Sequence, residues 1–349
     1  MRHTGVHGLF TGHEHLAVSF AKTILVLGYV QSLGSLFSAL VIAGGFLVLR
    51  RRERNSFKVR VLWRALFARR LFTSPSCRAD LGFLFLNTVL AGALLGWGVV
   101  SGATVFNIVR HALISIMGER APSQLDPGLC QIIATVVLFV AYDFAYWVDH
   151  YVSHRIGWLW EFHKVHHTAE VLTPLTNSRV HPVDTLVFLN FLSVFLGTSN
   201  GVLAYWFGNL ATPFTIGGAN VLAIVFAYTF LHLQHSHIWI ATTGRTGRII
   251  FSPAHHQVHH SAASIHFDKN FGSCFAVWDW MFGTLYVPTS QRERLTYGVA
   301  PDGINPHTVT GALLMPFVRA ASRILPALQP STRFLPRAGS DRNFSGDRA

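Results

Sequence analysis

The sequence predicts an all-α fold: an integral membrane helical bundle that carries a cytosolic, histidine-rich helical cap. Of the 349 residues, 50% are hydrophobic and 13% are charged, whereas soluble domains carry about 25% charged residues. The apolar residues are concentrated in long runs, which is the pattern of helices that cross a bilayer. Most of the 20 histidines stand near the ends of those runs rather than in their middles.

The apolar runs alternate with polar segments along the chain. The first is long enough for one tilted span or two short ones. The last two are joined through Gly208, Asn209 and Pro213, which predicts a helical hairpin. No cleavable signal peptide is evident, because the first run is too long and lacks a clear small-residue cleavage site. In order, the runs are residues 16–49, 81–100, 103–117, 129–147, 183–207 and 214–233.

The segment Arg50–Arg70 is strongly basic and follows the first apolar run directly. Basic residues beside a span mark its cytoplasmic side. Phe57, Trp63 and Phe67 are interleaved with the arginines, which predicts that part of the segment lies in the membrane interface as an amphipathic helix. The formal net charge of +12 also suggests a nucleic-acid-binding arm. Because the charge is clustered beside a span, no nucleic-acid partner is predicted.

The chain divides into three parts. Residues 1–128 hold the N-terminal membrane helices and the basic cytoplasmic loop 50–70, residues 129–290 form the histidine-bearing domain, and residues 291–349 form a polar, flexible tail. The cysteines are odd in number and widely spaced, so they form neither a disulfide framework nor a Cys-x-x-Cys metal site. This usage indicates a reducing, cytosol-facing location for the three residues Cys77, Cys130 and Cys274.

The predicted topology brings the histidines to one side of the membrane. If the basic loop is cytoplasmic, residues 81–100 lead the chain out and residues 129–147 return it. The hairpin 183–233 then enters and leaves on the cytoplasmic side. Every histidine group is therefore expected on the cytoplasmic face, in a multi-pass membrane protein.

The histidines recur at helical spacing. Positions i, i+3 and i+4 share one face of a helix, and the spacing H-x-x-H-H occurs twice in the chain. One further histidine, His181, precedes the hairpin. The four groups are His150 with His154; His163, His166 and His167; His232, His235 and His237; and His256, His259 and His260.

This many imidazoles predict more than one metal ion. Neutral imidazole binds iron, zinc, copper or nickel, and a zinc site takes about four ligands, so some ten histidines indicate two metals with four or five ligands each. No cysteine pattern for an iron–sulfur cluster and no c-type haem motif is present. A two-iron centre that activates O₂ beside a membrane is the natural fit, because an inert C–H bond needs such an oxidant.

Four stretches of the chain carry a family resemblance: DFAYWVDHYVSHRIGWLWEFHKVHH, HPVD, LQHSH and SPAHHQVHHSAASIHFDKNFGSCFAVWDWMFGTLY. Over about residues 130–290, the sequence resembles the fatty acid hydroxylase / sterol desaturase superfamily. The resemblance implies a membrane-bound, non-haem di-iron oxidoreductase. Such an enzyme uses O₂ and electrons from a separate reductase, ferredoxin or cytochrome b5 type donor. It hydroxylates or desaturates a sterol, fatty acyl or sphingolipid-like substrate, or cleaves ether lipids.

The resemblance also implies a ligand set. His237 stands where the family frequently has asparagine and His232 adds another candidate, so which of His232, His235 and His237 bind metal stays open. Asp143 and Asp279 are expected to accept an N–H from a ligand imidazole. The implied ligands are His150, His154, His163, His166, His167, His181, His235, His256, His259 and His260.

Two other classes of function remain open at this point. A histidine-rich membrane protein can transport metal ions, but transporters place their ligands near the bilayer midplane, whereas these histidines lie at helix ends. The second class is a family member that has lost catalysis and only binds lipid. Within the enzyme class, hydroxylation, desaturation and ether cleavage share one ligand set, so the sequence does not choose among them.

Overall fold

The fold consists of helices connected by short turns. The computed structural model describes residues 32–52, 59–95, 100–121, 123–300 and 305–325. The first part of the predicted apolar run 16–49, up to residue 31, and the chain beyond residue 325 lie outside the described residues. The α-helices are α1 Leu33–Arg52, α2 Val59–Leu66, α3 Arg69–Phe72, α4 Pro75–Leu95, α5 Gly102–Met117, α6 Pro127–Arg155, α7 Gly157–His167, α8 Pro182–Phe207, α9 Val221–Phe226, α10 His232–Gln234, α11 Pro253–His259, α12 Val277–Met281 and α13 Val309–Ile324.

Short elements of other kinds complete the description. A π-helical turn, Ala227–Leu231, joins α9 to α10, and the strands β1 Thr215–Ile216 and β2 Ala219–Asn220 pair antiparallel. The remaining helical turns are of the 3₁₀ type, at Pro174–Ser178, Gly208–Leu210, Thr246–Arg248 and Ser264–His266. The predicted helical character is therefore confirmed.

Among the described residues, three helices are long and apolar enough to cross a membrane: Leu33–Arg50, Pro127–Arg155 and Pro182–Leu210. The chain is a membrane protein. Helix α6 has 29 residues, so it is about 43 Å long, whereas the hydrocarbon core of a bilayer is about 30 Å thick. The helix is therefore longer than the hydrocarbon is thick, and its last turns carry His150 and His154.

Prolines and capping side chains determine where the principal helices begin. Asp126 caps α6 by accepting the Leu129 N–H at 2.9 Å, and Pro127 follows as the first helical residue. Helix α8 begins in the same way, since His181 Nδ1 accepts the Val183 N–H at 3.1 Å. Proline is favoured at a first helical position because its missing N–H has no acceptor there. These starts determine which residues reach the histidine end of the bundle.

Close packing against α5 holds α8 in place. A Cβ atom added to Gly197 would lie 2.8 Å from the carbonyl oxygen of Gly102, and one added to Gly201 would lie 2.9 Å from that of Phe106. Only glycine allows the two backbones to approach this closely. Helix α8, which also packs along α6, is thereby fixed between two neighbours.

Part of the expected C-terminal tail is an ordered helix. The Phe317 ring of α13 packs against Phe162 of α7, with centroids 5.2 Å apart, and Arg323 bonds Glu161 at 3.1 Å. Ala312 and Ala320 are buried on the same side of α13. The segment is polar on average, so composition predicted a loose tail, but its apolar residues recur at helical spacing and cover α7.

Candidate metal centre

Nine histidines converge in two adjoining groups at the end of the bundle. Within each group, the nitrogens that can bind metal lie within 4.8 Å of one another. All are buried except His154, which is half-buried. The first group is His150, His154, His163, His167 and His259, and the second is His166, His235, His256 and His260.

The repeated H-x-x-H-H spacing divides its histidines between the two groups. Helix α7 directs His163 and His167 into the first group and His166 into the second. The second repeat does the reverse, since His256 and His260 join the second group and His259 joins the first. Residues i and i+4 lie nearly above one another on a helix while i+3 is rotated away. Each repeat therefore serves both groups.

The separations between ring nitrogens match those of ligands around one ion. In the second group, His235 Nε2 lies 3.0 Å from that of His166, 3.2 Å from that of His260 and 2.9 Å from that of His256. In the first group, His167 Nε2 lies 3.2 Å from the Nε2 atoms of His154 and His259 and 3.3 Å from that of His163. Two nitrogens bound about 2.1 Å from one metal, at right or tetrahedral angles, lie about 3.0–3.4 Å apart.

Backbone carbonyls determine which ring nitrogen is available. His150 Nδ1 lies 2.9 Å from the Phe271 carbonyl oxygen. His259 Nδ1 lies 2.8 Å from that of Lys269, and His166 Nδ1 lies 3.3 Å from that of Arg179.

A carbonyl oxygen only accepts, so each of these Nδ1 atoms carries the proton and each Nε2 presents a lone pair. Several lone pairs about 3 Å apart cannot satisfy one another by hydrogen bonding. They fit a cation between them.

One carboxylate orients a histidine of the first group. Asp184 Oδ2 lies 3.1 Å from His163 Nδ1, and both side chains are buried. Asp184 was not among the residues predicted from sequence, although it ends the motif HPVD in the first turn of α8. The signal available was an acidic side chain beside a histidine motif, at the start of an otherwise apolar helix.

The two carboxylates that were predicted to bond an imidazole do not contact one. Asp143 accepts from the Cys274 N–H at 2.7 Å and the Trp278 indole at 2.8 Å, and Asp279 accepts from the Phe271 N–H at 2.9 Å. This corrects the sequence-based expectation: buried carboxylates are satisfied by the nearest donors, here the backbone and indole N–H groups. Their effect on the histidines is indirect, since Asp279 holds the segment whose Phe271 carbonyl accepts from His150.

Three predicted candidates lie outside both groups. His181 Nδ1 caps α8 and its Nε2 lies 3.0 Å from the Leu313 carbonyl oxygen. His232 Nε2 lies 2.9 Å from Ser35 Oγ, and His237 Nε2 bonds the Ala65 carbonyl. Of the three histidines in the LHLQHSH segment, only His235 joins a group.

Burial keeps the imidazoles neutral. Loss of hydration, together with neighbouring histidines, lowers the pKa of His235 and of His259 to about 3. The same causes lower the pKa of His166, His256 and His260 well below the ordinary value. Because neutral imidazole is the form that binds metal, the groups are in their ligand form at neutral pH.

A cavity of about 780 Å³ borders both groups. Its lining includes three histidines of the first group and one of the second: His154, His167, His259 and His260. The cavity makes both groups accessible to a molecule larger than water.

Residues 135–284 match the fatty acid hydroxylase family model, and all nine histidines lie inside the match. This segment is similar to fatty acid hydroxylase domains. The resemblance predicted from the histidine motifs is therefore confirmed. No solved structure matches the chain.

The curated relatives are lipid enzymes by name. The human alkylglycerol monooxygenase is 27% identical over 46% of this chain and 32% of its own length. The ornithine lipid hydroxylase OlsE of Rhizobium tropici is 26% identical over 55% of this chain and 60% of its own length. The Delta(7)-sterol 5(6)-desaturase erg3C of Aspergillus fumigatus is 28% identical over 49% of this chain and 54% of its own length. The chain thus covers about a third of the human alkylglycerol monooxygenase.

Proposed function

We propose that this chain is a membrane-bound di-iron lipid oxygenase, which uses O₂ and electrons from a separate donor to hydroxylate or desaturate a lipid C–H bond. The observation that carries the proposal is the pair of adjoining groups of five and four imidazoles inside the segment that matches the fatty acid hydroxylase family model. The substrate class is sterol, fatty acyl or sphingolipid-like. Ether-lipid oxidation is a second candidate, because alkylglycerol monooxygenases are among the relatives.

The residues of the centre would have two roles, metal binding and orientation of the metal-binding imidazoles. The nine histidines would hold two iron ions, which supply the oxidising chemistry that an inert C–H bond requires. Asp184 and the carbonyls of Phe271, Lys269 and Arg179 hold the imidazoles in the orientation and tautomer that expose Nε2. Burial lowers the pKa of the imidazoles and keeps them in the neutral form that binds metal. The ten-ligand set expected from sequence is reduced to nine, because both ring nitrogens of His181 have protein partners.

The histidine cap is proposed to face the cytoplasm. The basic end of α1 and the helix α2 that follows lie beside the cap: the Arg50 guanidinium donates to the Ser290 carbonyl at 3.4 Å, and Leu66 packs with Leu233 and Ile238. Basic segments next to a span remain on the cytoplasmic side. The contacts therefore support a cap on the same side as the arginines.

Metal analysis of the detergent-purified protein tests the proposal. Elemental analysis with Mössbauer spectroscopy on material grown in iron-57 is expected to show about two coupled irons per chain. A lipid-extract screen with O₂ and a reductant then seeks the oxidised product by mass spectrometry. A single zinc per chain, or no metal after iron supplementation, would contradict the di-iron assignment.

The exposed His111 of α5, outside both groups, provides a matched control. His111→Ala is expected to keep the iron content and turnover of the parent, because it removes an imidazole without touching the centre. Loss of iron in this variant would show that the assay reports general damage and not the histidine groups.

A further inference from the structure

A second cavity lies along α6 and α8 and does not border the two histidine groups. Its volume is about 430 Å³, and it is lined by residues of α6 and α8 and by residues between positions 213 and 231. Its walls are mostly apolar, and no lining residue is charged. The apolar lining residues include Leu138, Leu196, Ile224, Phe226 and Leu231. Two of its walls are candidate membrane spans, and its apolar lining suits an apolar molecule.

Tyr142 and Asn200 are polar side chains that line this cavity without a hydrogen-bond partner among the described residues. Asn220, on the same wall, shows the contrast: its amide donates to the Thr135 carbonyl at 2.9 Å and its oxygen accepts from the Leu222 N–H at 2.9 Å. Polar groups left unpaired in an apolar setting cost free energy. Tyr142 and Asn200 are thus available to a ligand.

The cavity lies on the face of α6 that leads to the first histidine group. Tyr142, Tyr146 and His150 are spaced at i, i+4 and i+8, so they follow one another along one side of the helix. The Tyr146 and His150 rings are in contact, with centroids 5.4 Å apart. Tyr142 is about 12 Å from His150 along the helix axis. Tyr146 is the residue between the cavity and the centre.

We propose that this cavity binds the apolar body of an uncharged lipid, and that Tyr142 and Asn200 hydrogen-bond the lipid's hydroxyl or ether oxygen. A phenol donates and a primary amide both donates and accepts, so the pair satisfies one such oxygen. A charged headgroup is excluded, because no opposite charge lines the cavity to offset the loss of its hydration. The inference deepens the proposed function and rests on it only for the lipid's role as substrate.

Photolabelling of the purified full-length protein tests the site without turnover. The probes are a sixteen-carbon alcohol that carries a diazirine in its chain and the corresponding alkane without the hydroxyl. Labelling is done without reductant and without O₂, and labelled peptides are mapped by mass spectrometry. We expect the alcohol to label the peptides around Leu138–Tyr142 and Leu196–Asn200.

Two variants separate the space from the polar recognition. Ala223→Trp fills the cavity and is expected to reduce labelling by both probes about tenfold. Its control is Val225→Trp, at an exposed position of the same helix. The double variant Tyr142→Phe with Asn200→Leu keeps the volume, so it is expected to weaken alcohol labelling about fivefold and leave alkane labelling unchanged, as for lost hydrogen bonds.

Undiminished labelling in Ala223→Trp would overturn the site. If Ala223→Trp fails to fold, the double variant still tests the proposal. The polar recognition is overturned if alcohol and alkane label the parent equally and the double substitution changes neither. If the peptides are labelled as expected but the protein oxidises no lipid, the proposed function is refuted and the lipid site is supported. Lipid oxidation with no labelling of these peptides would refute the site alone.

Discussion

The two histidine groups are built from the same repeated spacing but are supported differently. In the first group, three Nδ1 atoms have acceptors: the carbonyls of Phe271 and Lys269 and the Asp184 carboxylate. In the second group, His166 Nδ1 donates to the Arg179 carbonyl. The other three Nδ1 atoms have no partner among the described residues; these belong to His235, His256 and His260. The first group is thus oriented by hydrogen bonds and the second mainly by packing.

This difference predicts unequal metal affinities. An acceptor on Nδ1 fixes the ring orientation and makes Nε2 a stronger donor to metal. The first group has five imidazoles and the second has four, which favours the first again. We therefore expect the ion in the second group to be the more weakly held.

Removing one histidine from each group gives the largest effects. His167→Ala and His256→Ala are each expected to lower the iron content from about two to about one per chain and to lower turnover at least about 100-fold. His167 is chosen because its Nε2 lies within 3.3 Å of three other ring nitrogens.

Iron per folded chain and lipid oxidation are the measurements for this pair, beside His111→Ala. Retention of both irons in either variant would contradict the corresponding group. Complete loss of iron from His256→Ala would show that the groups do not bind independently.

Removal of the Asp184 carboxylate sharpens the comparison. Asp184→Ala is expected to lower metal affinity of the first group about 10–100-fold, because His163 loses the acceptor that fixes its ring. The difference between the groups would then diminish or reverse. Competition with a chelator measures both affinities.

Glu119→Ala is the matched control for this variant. Glu119 is an exposed carboxylate between α5 and α6, and it belongs to neither histidine group. Equal loss of metal from the two variants would mean that overall charge, and not the contact with His163, controls affinity.

The pattern of histidines predicted much of this centre, and the part it missed has a physical cause. Nine of the ten expected ligands come together. Helical spacing alone predicted which histidines of one helix share a face, and the position of the histidines at the ends of the apolar runs predicted that the helices meet. His181 could not be distinguished, because the use of its ring as a cap depends on a contact with Leu313, 132 residues further along the chain. Likewise, the roles of Asp143 and Asp184 depend on which donors the folded chain brings close.

The same limit explains the helix α13. The sequence around it is polar and arginine-rich, so average composition predicted a loose tail. Its order comes from contacts with α7, a helix more than 140 positions earlier, through Phe317 and Arg323. Local composition does not report such contacts.

Time-resolved chelation gives an intermediate effect and tests the inequality directly. On addition of a strong chelator to the two-iron protein, loss of metal is expected in two phases of about equal amplitude, with the second group emptied first. In Asp184→Ala, the two rates should converge, because both groups then lack the carboxylate. Mössbauer spectra at the plateau between the phases report which environment remains. A single phase in the parent would contradict unequal support.

The smallest predicted effect concerns Asp279, which acts on the first group through the backbone. Its oxygens accept from the Phe271 N–H at 2.9 Å and from the Gly272 N–H at 2.8 Å, and the Phe271 carbonyl accepts from His150. Asp279→Asn keeps one acceptor and loses the other, so the segment shifts slightly and His150 is less well oriented. We expect a loss of metal affinity of about threefold, confined to the first group and smaller than that of Asp184→Ala. If chelator competition instead shows an effect as large as that of Asp184→Ala, or one on the second group, then burial of the carboxylate, and not its link to His150, is what the centre requires.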